Sequence, residues 1–353
     1  MGNNVKAAVR FSMKTLCVLS FALALFFIVF PVQAADISAV PTSQKLIPLG
    51  RTTGIKLFSE GTMVVGFAEV GSEKSQSPAQ QAGLECGDII LAVNKTEIDS
   101  NESLMDALSV LPDGNAAVTF KRDGEEQTCS VSAIYDDEAQ TWRLGAWVRD
   151  SMAGIGTITY VDPQTGVFGA LGHGVCDVDT GELMPFENGS LMSSNVIGVK
   201  KGQEGTPGEL TGSFDMTCDQ GTLYLNTNSG IYGRIDEISV YEGQKALDTV
   251  KKSEIKTGKA TILANVDGEQ TESYEINILR VYPENDDSMR DMMIQVTDER
   301  LLEKTGGIVQ GMSGSPIIQN DKLVGAVTHV LINDPTRGYG ISIERMIAGT
   351  QLQ

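Results

Sequence analysis

Gly306-Gly307-Ile308-Val309-Gln310-Gly311-Met312-Ser313-Gly314-Ser315-Pro316-Ile317-Ile318 brings a small, turn-forming run up to one serine and leaves it through an apolar, strand-like run. Glycines on both sides of Ser313 let the backbone bend sharply and let another backbone approach without meeting side chains. The plainer interpretation is a glycine-rich turn between two strands. The two part on whether the chain also supplies a base, because a serine hydroxyl is a poor nucleophile until something takes its proton.

The chain has only two histidines. His173 lies in Gly169-Ala170-Leu171-Gly172-His173-Gly174-Val175, where small residues crowd one imidazole. His329 lies in Gly325-Ala326-Val327-Thr328-His329-Val330-Leu331, whose alternation suggests a strand. A strand histidine is commonly a packed or half-exposed side chain, whereas a glycine-flanked one has less reason to be there for packing. His173 is therefore the expected base.

At 353 residues the chain has room for two domains, and 41% apolar residues suffice for ordinary cores. A formal charge of −19 argues against nucleic acid or an anionic membrane surface as the main partner. The first 35 residues read as a targeting segment: Lys6, Arg10 and Lys14, then an apolar run from Leu16 to Val32, then Val32-Gln33-Ala34 before Ala35 as a small-residue cleavage site. Export with cleavage is expected; an uncleaved single anchor is the alternative. Beyond Cys17, the cysteines Cys86, Cys129, Cys176 and Cys218 form no Cys-x-x-Cys and no readable disulfide framework. With no paired Cys/His cluster, no metal and no cofactor is expected.

From about residue 40 to 135 the pattern is compact. Gly54-Ile55-Lys56-Leu57-Phe58 and Thr62 to Val70 read as strands. Ser77-Pro78-Ala79-Gln80-Gln81-Ala82-Gly83-Leu84 reads as a capped short helix, and Gly87-Asp88-Ile89-Ile90-Leu91-Ala92-Val93-Asn94 as a turn into a buried strand. Asn101 to Leu111 is amphipathic, and Asp123-Gly124 marks a hairpin between Ala116 to Arg122 and Thr128 to Ile134. The S-P-A-x-x-A-G-L-x-x-G-D-x-I-x-x-V-N pattern resembles a PDZ domain, which binds an extended peptide as an added strand. By that resemblance the carboxylate loop is Gly50-Arg51-Thr52-Thr53-Gly54, the peptide edge runs through Ile55 and Leu57 to Phe58, and the helix around Ser103 to Leu108 is the opposite wall.

After the acidic linker Asp136-Asp137-Glu138, a second domain from 141 to 353 carries many short apolar runs split by Gly, Asn, Asp and Pro, the spacing of an all-β barrel or sandwich. The polar, Gly-rich loop Lys201 to Glu209 could approach the site, with solvent as the default. A third residue should orient the imidazole. Asp298 is one candidate, although Thr297 or Asp298 reads equally well as a helix cap; Asp162, Asp177, Asp179 and Asp215 are rivals.

The Gly-x-Ser-Gly-x-Pro pattern resembles that of chymotrypsin-like proteases. The resemblance implies an oxyanion hole built from the amides of Gly311 and Ser313. His173 preceding Ser313 is also the chain order of their double barrels. Together with Gly325-Ala326-Val327-Thr328-His329-Val330 and Asn333-Asp334-Pro335-Thr336-x-Gly338-Tyr339-Gly340, these segments resemble the sporulation stage IV protein B peptidase family over essentially everything past the targeting segment. The resemblance implies a mainly β chain: a PDZ domain (α+β), then a chymotrypsin-like all-β double-barrel serine peptidase with the triad His173, Asp298 and Ser313. It further implies an exported endopeptidase in the intermembrane space of a forespore. Such an enzyme makes PDZ-guided cuts in itself and in a membrane-associated regulator of an intramembrane protease, which triggers sigma-factor processing late in sporulation. The competing expectation is a non-catalytic peptide-binding adaptor that keeps the barrel and has lost the reaction.

Overall fold

In the computed structural model, which describes residues 44–70, 76–283 and 289–350, the first strand serves two domains. β1 (Lys45–Phe67) is 23 residues long and turns at Gly61, whose φ of +76° and near contact with the Ile90 carbonyl leave no room for a side chain. The proposed targeting segment lies outside the described residues. Among those described, no helix is long and apolar enough to cross a membrane.

Past Gly61 the chain builds a PDZ-like unit. Ser77 caps α1 (Pro78–Gln81) by accepting from the Gln80 amide at 3.2 Å. β2 (Ile89–Val93) pairs with β1, with β3 (Thr96–Glu97), and with β4 (Asn115–Arg122). Ser100 and Ser103 close a reciprocal cap on α2 (Asn101–Ser109), which buries Leu104, Ala107 and Leu108. β4 turns into β5 (Glu125–Ser132) through Asp123 and Gly124, both at positive φ as a tight hairpin requires. The expected acidic linker is instead the tip of a hairpin between β6 (Ile134–Asp136) and β7 (Thr141–Arg143). Trp142 ties that hairpin down by donating its indole N–H to the Leu111 carbonyl at 3.0 Å and packing on the PDZ core.

The chain leaves through β8 (Ala146–Val161), which begins beside β1 in the PDZ unit and ends in a barrel. That barrel adds β9 (Val167–Ala170), β10 (Asn188–Lys200), β11 (Glu209–Thr227) and β12 (Gly230–Ile235). It closes in the order β1–β8–β9–β12–β11–β10 and back to β1. After β13 (Leu247–Thr249), a second barrel forms from β14 (Gly258–Asp267), β15 (Gln270–Val281), β16 (Met292–Val296), β17 (Pro316–Gln319), β18 (Lys322–Leu331) and β19 (Asp334–Ser342). It closes in the order β14–β15–β16–β19–β18–β17. Two further helices, α3 (Glu299–Thr305) and α4 (Ile343–Gly349), flank it. Each barrel buries its own aliphatic core, and closure gives every barrel strand a partner on both sides along part of its length. The mainly β reading, a PDZ domain joined to a chymotrypsin-like double barrel, is what the chain adopts.

The PDZ ligand edge expected at Gly50, Arg51, Thr52, Thr53, Gly54, Ile55 and Leu57 needs correction. These residues belong to the first barrel, not the PDZ unit. Arg51 to Phe58 pair with β8, and Gly54 to Phe58 are also paired with β10 on the other side. Thr52, Thr53, Ile55 and Leu57 are buried, and a Cβ at Gly50 would lie 2.6 Å from that of Leu263. A strand hydrogen-bonded on both sides has no groups left for a peptide. The PDZ unit thus starts near Gly61 and ends within β8, inserted between two strands of a barrel.

Candidate active site

The β9 strand ends in two left-handed residues, Leu171 (φ +67°) and Gly172 (φ +70°), which throw the chain across to His173. A leucine there is strained, and the fold holds it by burying its side chain over Gly156, where any Cβ would lie 2.2 Å from the Leu171 methyl. His173 Nδ1 lies 2.8 Å from the carbonyl of Gly174. A carbonyl only accepts, so Nδ1 carries the proton and Nε2 is left with a free lone pair. Burial lowers the His173 pKa below the ordinary histidine value of 6.5, partly offset by the Gly174 bond. The ring is neutral at pH 7.

Ser313 comes from the other barrel, between α3 and β17. Its loop is fixed from both sides. Thr157 of β8 donates its hydroxyl to Gly311 O at 2.7 Å and its amide to Ser313 O at 3.0 Å, while Gly314 N donates to Val327 O at 2.7 Å. Gln310 donates to Gly208 O and accepts from Leu210 N, each at 2.9 Å, so the peptide between Gln310 and Gly311 is pinned with its carbonyl toward β11. In a trans peptide the Gly311 N–H then points the opposite way. The amides of Met312, Gly314 and Ser315 bond within the fold; those of Gly311 and Ser313 make no bond among the described residues. Of the two readings of the loop Lys201 to Glu209, approach to the site holds for its Pro207-Gly208 end: Gly208 holds Gln310 and Pro207 lines the cavity.

His173, Gly311 and Ser313 open into one cavity of about 560 Å³ between the barrels. The Ser313 hydroxyl donates to Thr328 O at 2.7 Å. His329 also stands in the cavity, its ring centroid 5.0 Å from that of His173 at a 37° tilt. Lost hydration in the cleft, then the neighbouring His173 and Arg290, lower its pKa as well. Ile55 and Leu57, expected to grip a peptide in the PDZ unit, line this cavity instead.

Asp298 does not join them. It caps α3, accepting from Arg300 N at 3.0 Å, from the Arg300 guanidinium and from Glu275 N at 3.2 Å, and it shares no bond with His173. The Arg300 hydrogen bonds hold its carboxyl below the usual carboxylate range. The cap reading of this residue fits, and the triad assignment is corrected. Asp298→Ala is expected to cost about 1 kcal/mol as a lost cap and to leave kcat/KM within a few-fold; thermal melts and steady-state rates measure the two separately. Among its rivals, Asp162 closes the turn before β9 through Gln164 N. Asp177 is buried against Arg149 and the amides of Asp179 and Thr180.

A second cavity, about 450 Å³, lies in the PDZ unit between α2 (Leu104, Met105, Leu108) and the run from Leu144 into the start of β8 at Val148. From Ala146 to Val148, β8 pairs with β1 on one side, and among the described residues its other edge pairs with no strand. Met105 and Trp147 stand 61% and 65% exposed beside it. The expected helical wall at Ser103 to Leu108 is thus in place, facing a different strand. An exposed tryptophan at the head of an alternating run was the sequence signal for it. From this groove β8 continues past Met152 to Ile155, which line the first cavity, to Thr157, which holds the serine loop. Arg149 on the same strand bonds Asp177 and, at 2.9 Å, Asp179 in the loop after His173.

The family model described as SpoIVB peptidase S55 matches residues 140–347, more than half of the chain, and a PDZ domain model matches residues 61–133. A curated relative, the zinc metalloprotease RasP of Shouchella clausii, is 26% identical over 151 residues; the match covers 40% of this chain and 35% of that protein. The chain thus spans about a third of the length of the curated relative it matches. Crystal structures of Rv3671c protease from M. tuberculosis align with 57% of this chain. The active form is 16% identical and 73% covered (TM-score 0.30), and an inactive form is 15% identical and 83% covered (TM-score 0.29). Scores that low add nothing to the geometry.

Proposed function

Since the chain belongs to the SpoIVB peptidase S55 family and is a PDZ-containing serine peptidase, we propose that Ser313 is its nucleophile and His173 its base. The observation that carries this reading is the shared cavity: two loops 140 residues apart in the chain deliver an alcohol and a neutral imidazole to it, beside two unbonded amides. In the resting chain the Ser313 hydroxyl donates to Thr328 O. Among the described residues Ser313 and His173 share no hydrogen bond; the reading requires the hydroxyl to turn about Cα–Cβ toward His173 Nε2 when substrate binds, as catalytic hydrogen bonds commonly tighten only then. Ser313 Oγ then attacks the scissile carbonyl, Nε2 takes the proton, and Gly311 N and Ser313 N receive the oxyanion. His173 next returns the proton to the leaving amine, and water repeats the sequence on the acyl-enzyme. The Gly174 carbonyl, in place of a carboxylate, keeps the imidazole in the tautomer this needs.

An extended peptide adding to the free edge at Ala146 to Val148 would sit on the strand that reaches the serine loop, which supports PDZ-guided cutting. We extend the reading to the role that the resemblance to this family implies: an exported, self-cleaving peptidase that acts outside the cytoplasm on a membrane-associated regulator during sporulation. Residues 36–353, purified with and without Ser313→Ala and incubated alone and with an unfolded test protein, provide the check. Fragments that depend on the serine support the peptidase; identical stable bands from both chains would leave a peptide-binding adaptor.

A pH profile follows from the lowered His173 pKa. The base works only when neutral, so kcat/KM should be flat through pH 7 to 8 and fall on the acid side with a midpoint below 6.5. Stability has the same sign: the unfolded chain, with an ordinary histidine pKa, binds the proton first, so stability is lost as pH drops below 6.5. An acid midpoint at or above 6.5 would contradict His173 as a buried neutral base.

A further inference from the structure

We propose that Arg149, on the PDZ side of β8, is a positioning residue for the reaction: through Asp177 it fixes the hairpin whose first carbonyl orients His173. The inference rests on the serine-peptidase reading above and adds a residue to it. Gly174 O holds His173 Nδ1 at 2.8 Å, so the ring is placed only as well as the segment that follows it. That segment folds back on itself. Asp177 N donates to Glu182 O at 2.8 Å and Met184 N to Val175 O at 2.9 Å, with Cys176 bridged to Leu183 between them. Gly174 to Met184 is therefore one short hairpin.

The hairpin is mounted at both ends. At its base Asn226 accepts from Val175 N at 2.9 Å and donates to Val175 O and Met184 O at 2.9 and 3.0 Å. Toward its tip the buried Asp177 takes Arg149 on one carboxylate oxygen, and the amides of Asp179 and Thr180, each at 2.9 Å, on the other. The second Arg149 nitrogen reaches Asp179 at 2.9 Å. Among the described residues, 176–183 make no other hydrogen bond or ion pair outside the hairpin. Arg149 belongs to the PDZ unit: it pairs with Met63, which pairs with Ile89, and it follows Val148 of the peptide groove. A Cβ on Gly87, in the same unit, would stand 3.7 Å from Glu182 Cγ. The orienting task that a triad gives to a carboxylate touching the imidazole thus falls to Asp177 at one remove, with the PDZ unit supplying its cation. A displacement of about 1 Å far from the chemistry can cost about 100-fold in rate.

The test measures kcat and KM of the full chain on a fixed peptide, thermal melts, and the His173 tautomer by nitrogen NMR above the His173 pKa. Two histidines give two sets of ring signals, and His173→Ala assigns them. Arg149→Met should lower kcat about 10- to 100-fold with KM within about threefold, and should replace the Nδ1–H form by a mixture of tautomers. Arg149→Lys keeps one donor for Asp177 and should recover kcat to within about threefold of the unaltered chain. Combining Arg149→Met with Asp177→Asn strands no buried charge, so this pair should melt above Arg149→Met alone while kcat stays about tenfold or more down. A residue that only stabilises would return activity with stability; and should Arg149→Met not fold, the pair carries the same test. Unchanged kcat, a change in KM alone, kcat regained with stability in the pair, or slower turnover with the Nδ1–H form intact would each overturn the inference and leave the peptidase standing. An unaltered chain that cuts nothing and takes no phosphonate label on Ser313 would remove the reading beneath it, and the inference with it.

Discussion

Ser313→Ala is expected to lower peptide hydrolysis at least about 10⁴-fold, roughly 5 kcal/mol of transition-state stabilisation, because it removes the atom proposed to form the acyl bond. It should leave the fold intact. The side chain contributes one hydrogen bond, to Thr328 O, and losing it is worth about 1 kcal/mol. The loop stays held by Thr157, Gly208, Leu210 and Val327 through backbone groups the substitution does not touch. Rates on a fixed peptide together with thermal melts decide the matter. A variant retaining a tenth of the activity would show that the reaction does not pass through this hydroxyl.

One position further on, Gly314→Ala should have one of the largest effects on stability of the glycine-to-alanine changes among the described residues. A Cβ there would lie 2.0 Å from Thr157 O and 2.6 Å from Leu171 N, both backbone atoms, at a φ of +97°. Neither neighbour can yield without moving β8 or the His173 loop, so the methyl forces the two barrels apart at the seam where the site is made. The left-handed backbone alone costs about 1–2 kcal/mol, and overpacking adds about 1–3 kcal/mol more. Urea unfolding should thus register a loss of about 3 kcal/mol or greater, with activity gone. Gly124→Ala is the comparison: its φ is +84°, yet nothing lies within 4 Å, so only the backbone cost applies. Equal losses at the two positions would mean that close packing of the serine loop on β8 does not matter.

How much of this was legible in the sequence depended on the range of the interaction. The caps at Ser77 and Ser100, the Asp123-Gly124 turn and the apolar face of α2 are set by neighbours a few residues apart, and they read directly. Only two histidines are present, so placing one beside Ser313 needed little information. The groove was misplaced because β1 and β8 each run through two domains, and no local signal in Gly50 to Leu57 tells a barrel strand from a PDZ strand. Their partners lie about 100 residues away. The same holds for Thr157, whose hydroxyl meets Gly311 across 154 residues. At Asp298 the local pattern and the family pattern pointed in different directions. The residue is a helix cap, as three residues of context suggested, with Arg300 as its partner.

The central claim is that His173, oriented by the Gly174 carbonyl, activates Ser313 with no carboxylate between them. Labelling by a serine-directed phosphonate, with the site mapped by mass spectrometry, tests it most directly in the unaltered chain, His173→Ala and Asp298→Asn. The account predicts a label on Ser313 alone, slowed at least about 10³-fold by His173→Ala and changed less than threefold by Asp298→Asn. Equal labelling of the unaltered chain and His173→Ala, or loss of the label in Asp298→Asn while the helix cap survives, would contradict it.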